Sequence, residues 1–116
     1  MVKPKFPRYN DGVVFIYREK QKRSNFAAKE NVSVLDDLIF IAKLAFEESS
    51  KREQDLEFAN QNGFSLSLKI RTRYLSSVDN KTKAIINGVL YDVQSVDKSR
   101  TEMWIYLEEV KRIDSV

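Results

Sequence analysis

Ser50-Lys-Arg-Glu-Gln-Asp-Leu-Glu-Phe-Ala-Asn-Gln-Asn-Gly63 is followed directly by Phe64-Ser-Leu-Ser-Leu-Lys-Ile-Arg-Thr-Arg-Tyr-Leu75. The first half has the marks of a short capped helix over about residues 50–62. Ser50 suits the N-cap, Glu53 stands three residues on where its carboxylate can reach back, and Gly63 supplies a left-handed stop. At Phe64 the period changes to two. Phe64, Leu66, Leu68 and Ile70 fall on one face, and Ser65, Ser67, Lys69, Arg71 and Arg73 on the other. That alternation predicts a strand with one buried and one wet face. On the helix, Leu56 and Ala59 share a face with Asn60 at its edge, while Phe58 points elsewhere. So thin a stripe predicts a helix laid across one open end or side of a sheet.

Outward from this pair, the rest of the chain reads mainly as strand. Gly12–Glu19 is rich in β-formers and predicts the first strand. Residues 38–48 are ambiguous by period, with Ile39, Ile41 and Lys43 alternating against Phe40, Ala42, Leu44 and Phe46. Their β-branched and aromatic content, and the cap signal just after them, favour a strand. Ala84–Val93 contains Asn87-Gly88 between apolar runs, a hairpin signal, because both residues tolerate positive φ. Val89, Tyr91 and Val93 alternate inward and Val96 is out of phase, which predicts a bulge near Gln94–Ser95. A turn at Asp97–Thr101 leads to a last strand, Glu102–Val110, apolar on both faces over its middle. The expected fold class is mainly β (α+β): a small antiparallel β-barrel-like sheet with one short helix, curled so as to avoid open edges.

Composition bounds the function. The 116 residues predict a single domain, with 1–10 an extended arm, 20–33 a long mobile loop and 113–116 a tail. Cysteine and histidine are both absent. No thiolate site, disulfide framework or imidazole base exists, so neither enzyme nor cofactor is expected. The three glycines form no phosphate-binding loop. No apolar run approaches the ~18 residues of a membrane span, and the N-terminus lacks an apolar signal region. A soluble cytoplasmic protein with no membrane partner is the expectation. The adjacent acids Asp36-Asp37, Glu47-Glu48 and Glu108-Glu109 sit on opposite strand faces and suit solvated or structural roles rather than paired acid–base work.

Charge is uneven. Net charge is +3 and the isoelectric point about 9.1. Residues 1–29 hold eight Lys/Arg against two Asp/Glu, a balance of +6, and residues 34–57 hold three against seven, a balance of −4. A basic arm and an acidic middle, including Asp36 and Asp37, could pair between copies; solvated surface is the plainer reading. Lys20, Lys22 and Arg23 make the 20–33 loop basic. Lys69, Arg71 and Arg73 project from one strand face about 7 Å apart, near a nucleic-acid phosphate repeat. They mark a DNA contact or simply guard an exposed strand. Trp104 and Tyr106 form an aromatic pair suited to packing, to a subunit interface or to stacking on bases.

Five segments together resemble a known family: Ser50–Ala59, Leu66–Arg71, the Val78-Asp79 loop, Ile86-Asn-Gly-Val-Leu-Tyr-Asp-Val93 and Trp104-Ile-Tyr-Leu-Glu-Glu-Val110. With the Asp11-Gly12-Val-Val-Phe15 start, they resemble the head–tail joining proteins of long-tailed bacteriophages and prophages, also called head-closure, adaptor or stopper proteins. The resemblance spans about residues 11–112. It implies a small β-barrel with one helix whose copies form a ring in the virion, between the portal-side connector and the tail tube or tail-completion protein. Such a ring extends or closes the DNA channel and touches DNA non-specifically. The family carries no catalytic motif, so no active site transfers. The interface signal in the sequence is mostly charge complementarity, so a monomer or weak oligomer is expected when free; the resemblance implies a protein made in the bacterial host cytoplasm. The runner-up expectation is a small basic β-barrel that binds nucleic acid. The basic 20–33 loop is expected to be mobile in the free protein and to order beside DNA or the connector.

Overall fold

The computed structural model describes residues 8–20 and 37–113. The arm before Arg8, most of the 20–33 loop and the end of the tail lie outside them. Six strands and one helix follow in order: β1 (Gly12–Glu19), β2 (Leu38–Ser49), α1 (Glu53–Gln61), β3 (Leu68–Arg73), β4 (Thr82–Ile86), β5 (Val89–Lys98) and β6 (Glu102–Arg112). All pairings are antiparallel, and the strands close into a barrel in the order β1-β2-β3-β6-β5-β4. Closure is made by β1 against β4, with Phe15 opposite Ile85 and Arg18 opposite Thr82. Closure gives every strand a neighbour on both sides over part of its length, which limits the open edge available for edge-to-edge pairing. The expected mainly-β barrel with a single short helix is the fold observed.

A six-stranded barrel is narrow, and side chains fill it. Val14 and Ile16 enter from β1, Ile70 from β3, and Met103, Ile105 and Leu107 from β6; each is fully buried. Burying each such side chain is worth roughly 1.5–3 kcal/mol. Val78, on the β3–β4 connection, packs into the same cluster. The Asp79 carbonyl holds that connection by accepting the Thr82 hydroxyl at 2.6 Å.

The hairpin turns where its residues demand. Asn87 has φ 51° and Gly88 φ 78°, the two positive values a type I′ turn requires. The β5–β6 register slips between Val93 and Ser95, which returns Val96 to the core as the phase break implied. A second irregularity follows Leu90 and leaves Val110 unpaired and exposed.

Three expectations need correction. The helix begins at Glu53 and its N-cap is Arg52, so the Ser50–Glu53 box does not form. Asp55 takes that role: its Oδ2 accepts the Arg52 amide at 2.9 Å. A carboxylate already tied to the barrel is a better fixed acceptor than an exposed Glu53. The other end is as expected. Phe64 N–H reaches the Ala59 carbonyl (3.0 Å) and Gly63 N–H that of Asn60 (3.2 Å), a Schellman stop with Gly63 at φ 76°. The second correction is the buried helix face. It is Asp55 with Ala59, and Leu56 is left 47% exposed. The third is β3, whose ladder starts only at Leu68. Residues 64–67 lie before the ladder; the Ser67 N–H donates to the Leu107 carbonyl at 2.8 Å, with Leu66 turned beneath α1 and Phe64 packed alongside.

Candidate functional site

The outer barrel wall at β3 and β6 is where most of the candidate residues meet. Register places Lys69 opposite Tyr106, Arg71 opposite Trp104 and Arg73 opposite Glu102, all on one outward face. That face is not open. Helix α1 lies over it, with Ala59, Leu66 and Tyr106 forming a second apolar cluster flanked by Phe64 and Trp104. Phe58 sets its ring against Tyr106 (5.8 Å) and Phe64 (6.1 Å).

Lys69 is therefore 4% exposed, against the expectation of a wet, phosphate-facing side chain. Its ammonium lies 2.9 Å from Asp55 Oδ2 and 5.3 Å from the Tyr106 ring centroid. The Tyr106 hydroxyl donates to Asp55 Oδ1 at 3.3 Å. Burial pushes Asp55 upward, but hydrogen bonds from Lys69 and the Arg52 amide, and the Lys69 charge, hold its carboxyl below the usual value. Burial and the Asp55 charge raise Tyr106.

Arg71 is half-buried and neutralised. Its guanidinium bridges Glu47 and Glu102 and sits 5.1 Å from the Tyr9 ring centroid. Tyr9 in turn donates its hydroxyl to Glu102 Oε2 at 2.7 Å, so the base of the N-terminal arm is pinned to this wall. Burial first, then the Glu102 hydrogen bond and charge, pushes the Tyr9 phenol up to about 12. Of the three cations only Arg73 is exposed. Trp104 is half-buried and Tyr106 buried under α1, so Tyr106 offers no free face to a partner or a base.

Lys20 lies elsewhere, at the barrel end where β1 stops. With Arg18, Lys81 and Lys83 it lines a cleft of about 850 Å³, shared with Glu19 and Asp79. Lys83 is held by Asp92 at 2.6 Å. Asp37 is half-buried beside this end, and its carbonyl accepts the Lys20 amide. Lys22, Arg23 and Asp36 lie outside the described residues. The structure thus separates Lys20 from the β3 cations rather than joining them.

Among the described residues, no group of three or more Asp or Glu is placed to hold a metal ion, and no buried side-chain polar atom lacks a partner. No described helix is long and apolar enough to cross a membrane. Glu108 accepts Gln94 Nε2 (2.9 Å) and the Ser65 amide (3.3 Å), a structural role.

The feature that sequence reading missed is an aromatic wall outside β1 and β2. Phe40 packs against Tyr17 at 5.7 Å and Phe15 at 6.5 Å, and Lys43 Nζ stands 5.8 Å from the Phe15 centroid. Phe40 is nonetheless 54% exposed. Strict alternation along β2 puts Phe40 on the inward side with Ala42, Leu44 and Phe46. A register shift between Ile16 and Tyr17 skips Ile41 and turns Phe40 outward, opposite Tyr17.

No protein-family model matches this chain, and no curated protein matches it significantly.

Proposed function

We propose that this chain is a structural virion-assembly protein that forms a ring at the phage head–tail interface, joining the portal-side connector to the tail and extending or closing the DNA channel. The family resemblance over residues 11–112 supports the reading. The observation that carries it is the distribution of exposed apolar groups on a closed barrel. With the strands joined into a ring, contacts between copies go mainly through side-chain surfaces. The barrel has two dissimilar ones, the Phe15–Tyr17–Phe40 wall and the helix bearing Leu56. A ring needs two such non-identical patches per subunit. The reading is non-enzymatic, in keeping with a chain that has neither histidine nor cysteine. Its partners are other copies, the connector, the tail and, non-specifically, channel DNA; its place is the virion.

Deletion of the gene in its phage tests this. Filled heads that leak DNA or lack tails, restored by the gene in trans, are the expected outcome. Normal tailed particles overturn it.

The second reading, a small basic β-barrel that binds nucleic acid, draws on the Arg18, Lys20, Lys81 and Lys83 cleft. The burial of Lys69 and the pairing of Arg71 weigh against it, because they remove the two cations best spaced for phosphates. Tight single-strand binding by the isolated chain, with a steep salt slope, favours this second reading.

A further inference from the structure

We infer that the aromatic wall on β1 and β2 is the docking surface for helix α1 of a second copy of this chain. The inference rests on the ring reading above and names the contact that builds the ring.

The wall is apolar and carries an ammonium over one of its rings. Its outward pairs are Val13 with Ala45, Phe15 with Lys43 and Tyr17 with Phe40; the next pair, Glu19 with Leu38, closes the face with an acid that lies 4.0 Å from the Lys83 ammonium. Across the other side of β1, Phe15 meets Ile85. Phe40, more than half exposed, touches both Phe15 and Tyr17, so the three rings form a continuous patch rather than a scattered surface residue. Lys43 provides the positive charge beside it.

Helix α1 is its complement. The sequence Glu53-Gln-Asp-Leu-Glu-Phe-Ala-Asn-Gln61 contains no cation. Asp55 is turned inward to Lys69, which leaves Glu53 and Glu57 exposed on the outer side. Leu56 is exposed beside them, with Glu53 one turn before and Asn60 one turn after on the same face. An apolar knob flanked by carboxylates faces outward from this helix, and an apolar wall carrying an ammonium faces outward from β1 and β2.

Their placement fits a rotational contact. In the barrel order β1-β2-β3-β6-β5-β4, β1 and β6 are three strands apart in either direction. The wall spans β1 and β2 and the helix is held over β3 and β6 by the Asp55–Lys69 pair, so the two patches occupy separate sectors of the barrel. One copy cannot satisfy both within itself, whereas each copy can give its helix to one neighbour and its wall to the other. That is a heterologous interface, and it closes into a ring if the rotation permits.

The absence of cysteine gives a clean test. Two single-cysteine proteins, Phe40→Cys and Leu56→Cys, are mixed and treated with a short bismaleimide. Both positions are exposed, and matching melting curves verify that both fold. The expected result is a cross-linked dimer in the mixture, enriched on the order of tenfold over either protein alone, as selective pairing requires. The Phe40→Cys/Leu56→Cys double variant should give a ladder of multimers. Adding Lys43→Glu to the Phe40→Cys protein should suppress the mixed dimer, and adding Glu53→Lys and Glu57→Lys to its partner should restore it. A dominant Phe40→Cys homodimer, or a mixed yield no better than that of a control pair using Arg100→Cys, overturns the inference. The ring reading is judged separately, by electron microscopy of the chain on its connector. Rings unaffected by Phe40→Asp refute this contact and leave that reading standing. A mixed cross-link without any connector binding does the reverse.

Discussion

Lys69 Nζ lies 2.9 Å from Asp55 Oδ2, and both side chains are buried beneath helix α1. One carboxylate joins the barrel wall, the helix N-terminus and the Tyr106 hydroxyl. It decides where the helix starts and why a strand residue of the supposedly wet face is dry.

Removing one partner of such a pair leaves the other charge buried alone. Asp55→Asn should therefore destabilise the protein by about 3–5 kcal/mol. Asp55→Leu combined with Lys69→Met should recover much of that loss, because the charge is replaced on both sides. Urea unfolding of the three variants measures it; a double variant as unstable as the single one would show that capping of α1, not the ion pair, dominates.

The same pair gives an acid limb to stability. The folded Asp55 pKa lies below its unfolded value. Its stabilisation is thus fully present above about pH 4, the ordinary Asp value, and is lost as pH falls through the lowered folded pKa. The difference in unfolding free energy between wild type and Asp55→Asn should shrink steadily below pH 4. A difference independent of pH down to 2 would refute this.

Tyr9 gives the alkaline counterpart. With its phenol pushed up to about 12, its contribution is intact below about pH 10 and fades as pH rises through 12. Burial raises Tyr91 and Tyr106 as well, so ultraviolet titration should show several tyrosines ionising above the ordinary value, and Tyr9→Phe should remove the one near pH 12. Loss of the Glu102 hydrogen bond should cost about 1 kcal/mol.

Gly88→Val should cost about 1–2 kcal/mol, since a β-branched residue resists the positive φ of the type I′ turn. An unchanged melting curve would contradict the turn geometry at Asn87-Gly88.

On the nucleic-acid reading, DNA contact belongs to the barrel end. Arg18→Gln with Lys20→Gln should lower binding of the isolated chain to duplex DNA at low salt, while Arg73→Gln should change it less. Three phosphate contacts predict a log–log salt slope of roughly −3. Equal loss from Arg73→Gln would return the contact to the β3 face.

Much of the barrel was legible because its signals are local. The Asn87-Gly88 turn, the Gly63 helix stop and the phase break before Val96 each depend on residues within one turn of the chain. The misread positions depend on distant partners. Period-two alternation assigns Lys69 to an outer face but carries no record of a helix folding over that face. The helix start moved from Ser50 to Arg52 because Asp55 is held by a strand residue 14 positions away. Phe40 lies outward through a register shift that its own alternation hides. The aromatic wall, proposed as a docking surface, was invisible for that reason.

The most direct measurement is sedimentation velocity of the chain, alone and mixed with the purified portal-side connector of its phage. A light species alone, and joint sedimentation with the connector as a defined multi-copy ring, is the expected result. Failure to join the connector at any concentration, together with tight and salt-sensitive binding of single-stranded DNA, would contradict the head–tail assignment and favour a free nucleic-acid-binding barrel.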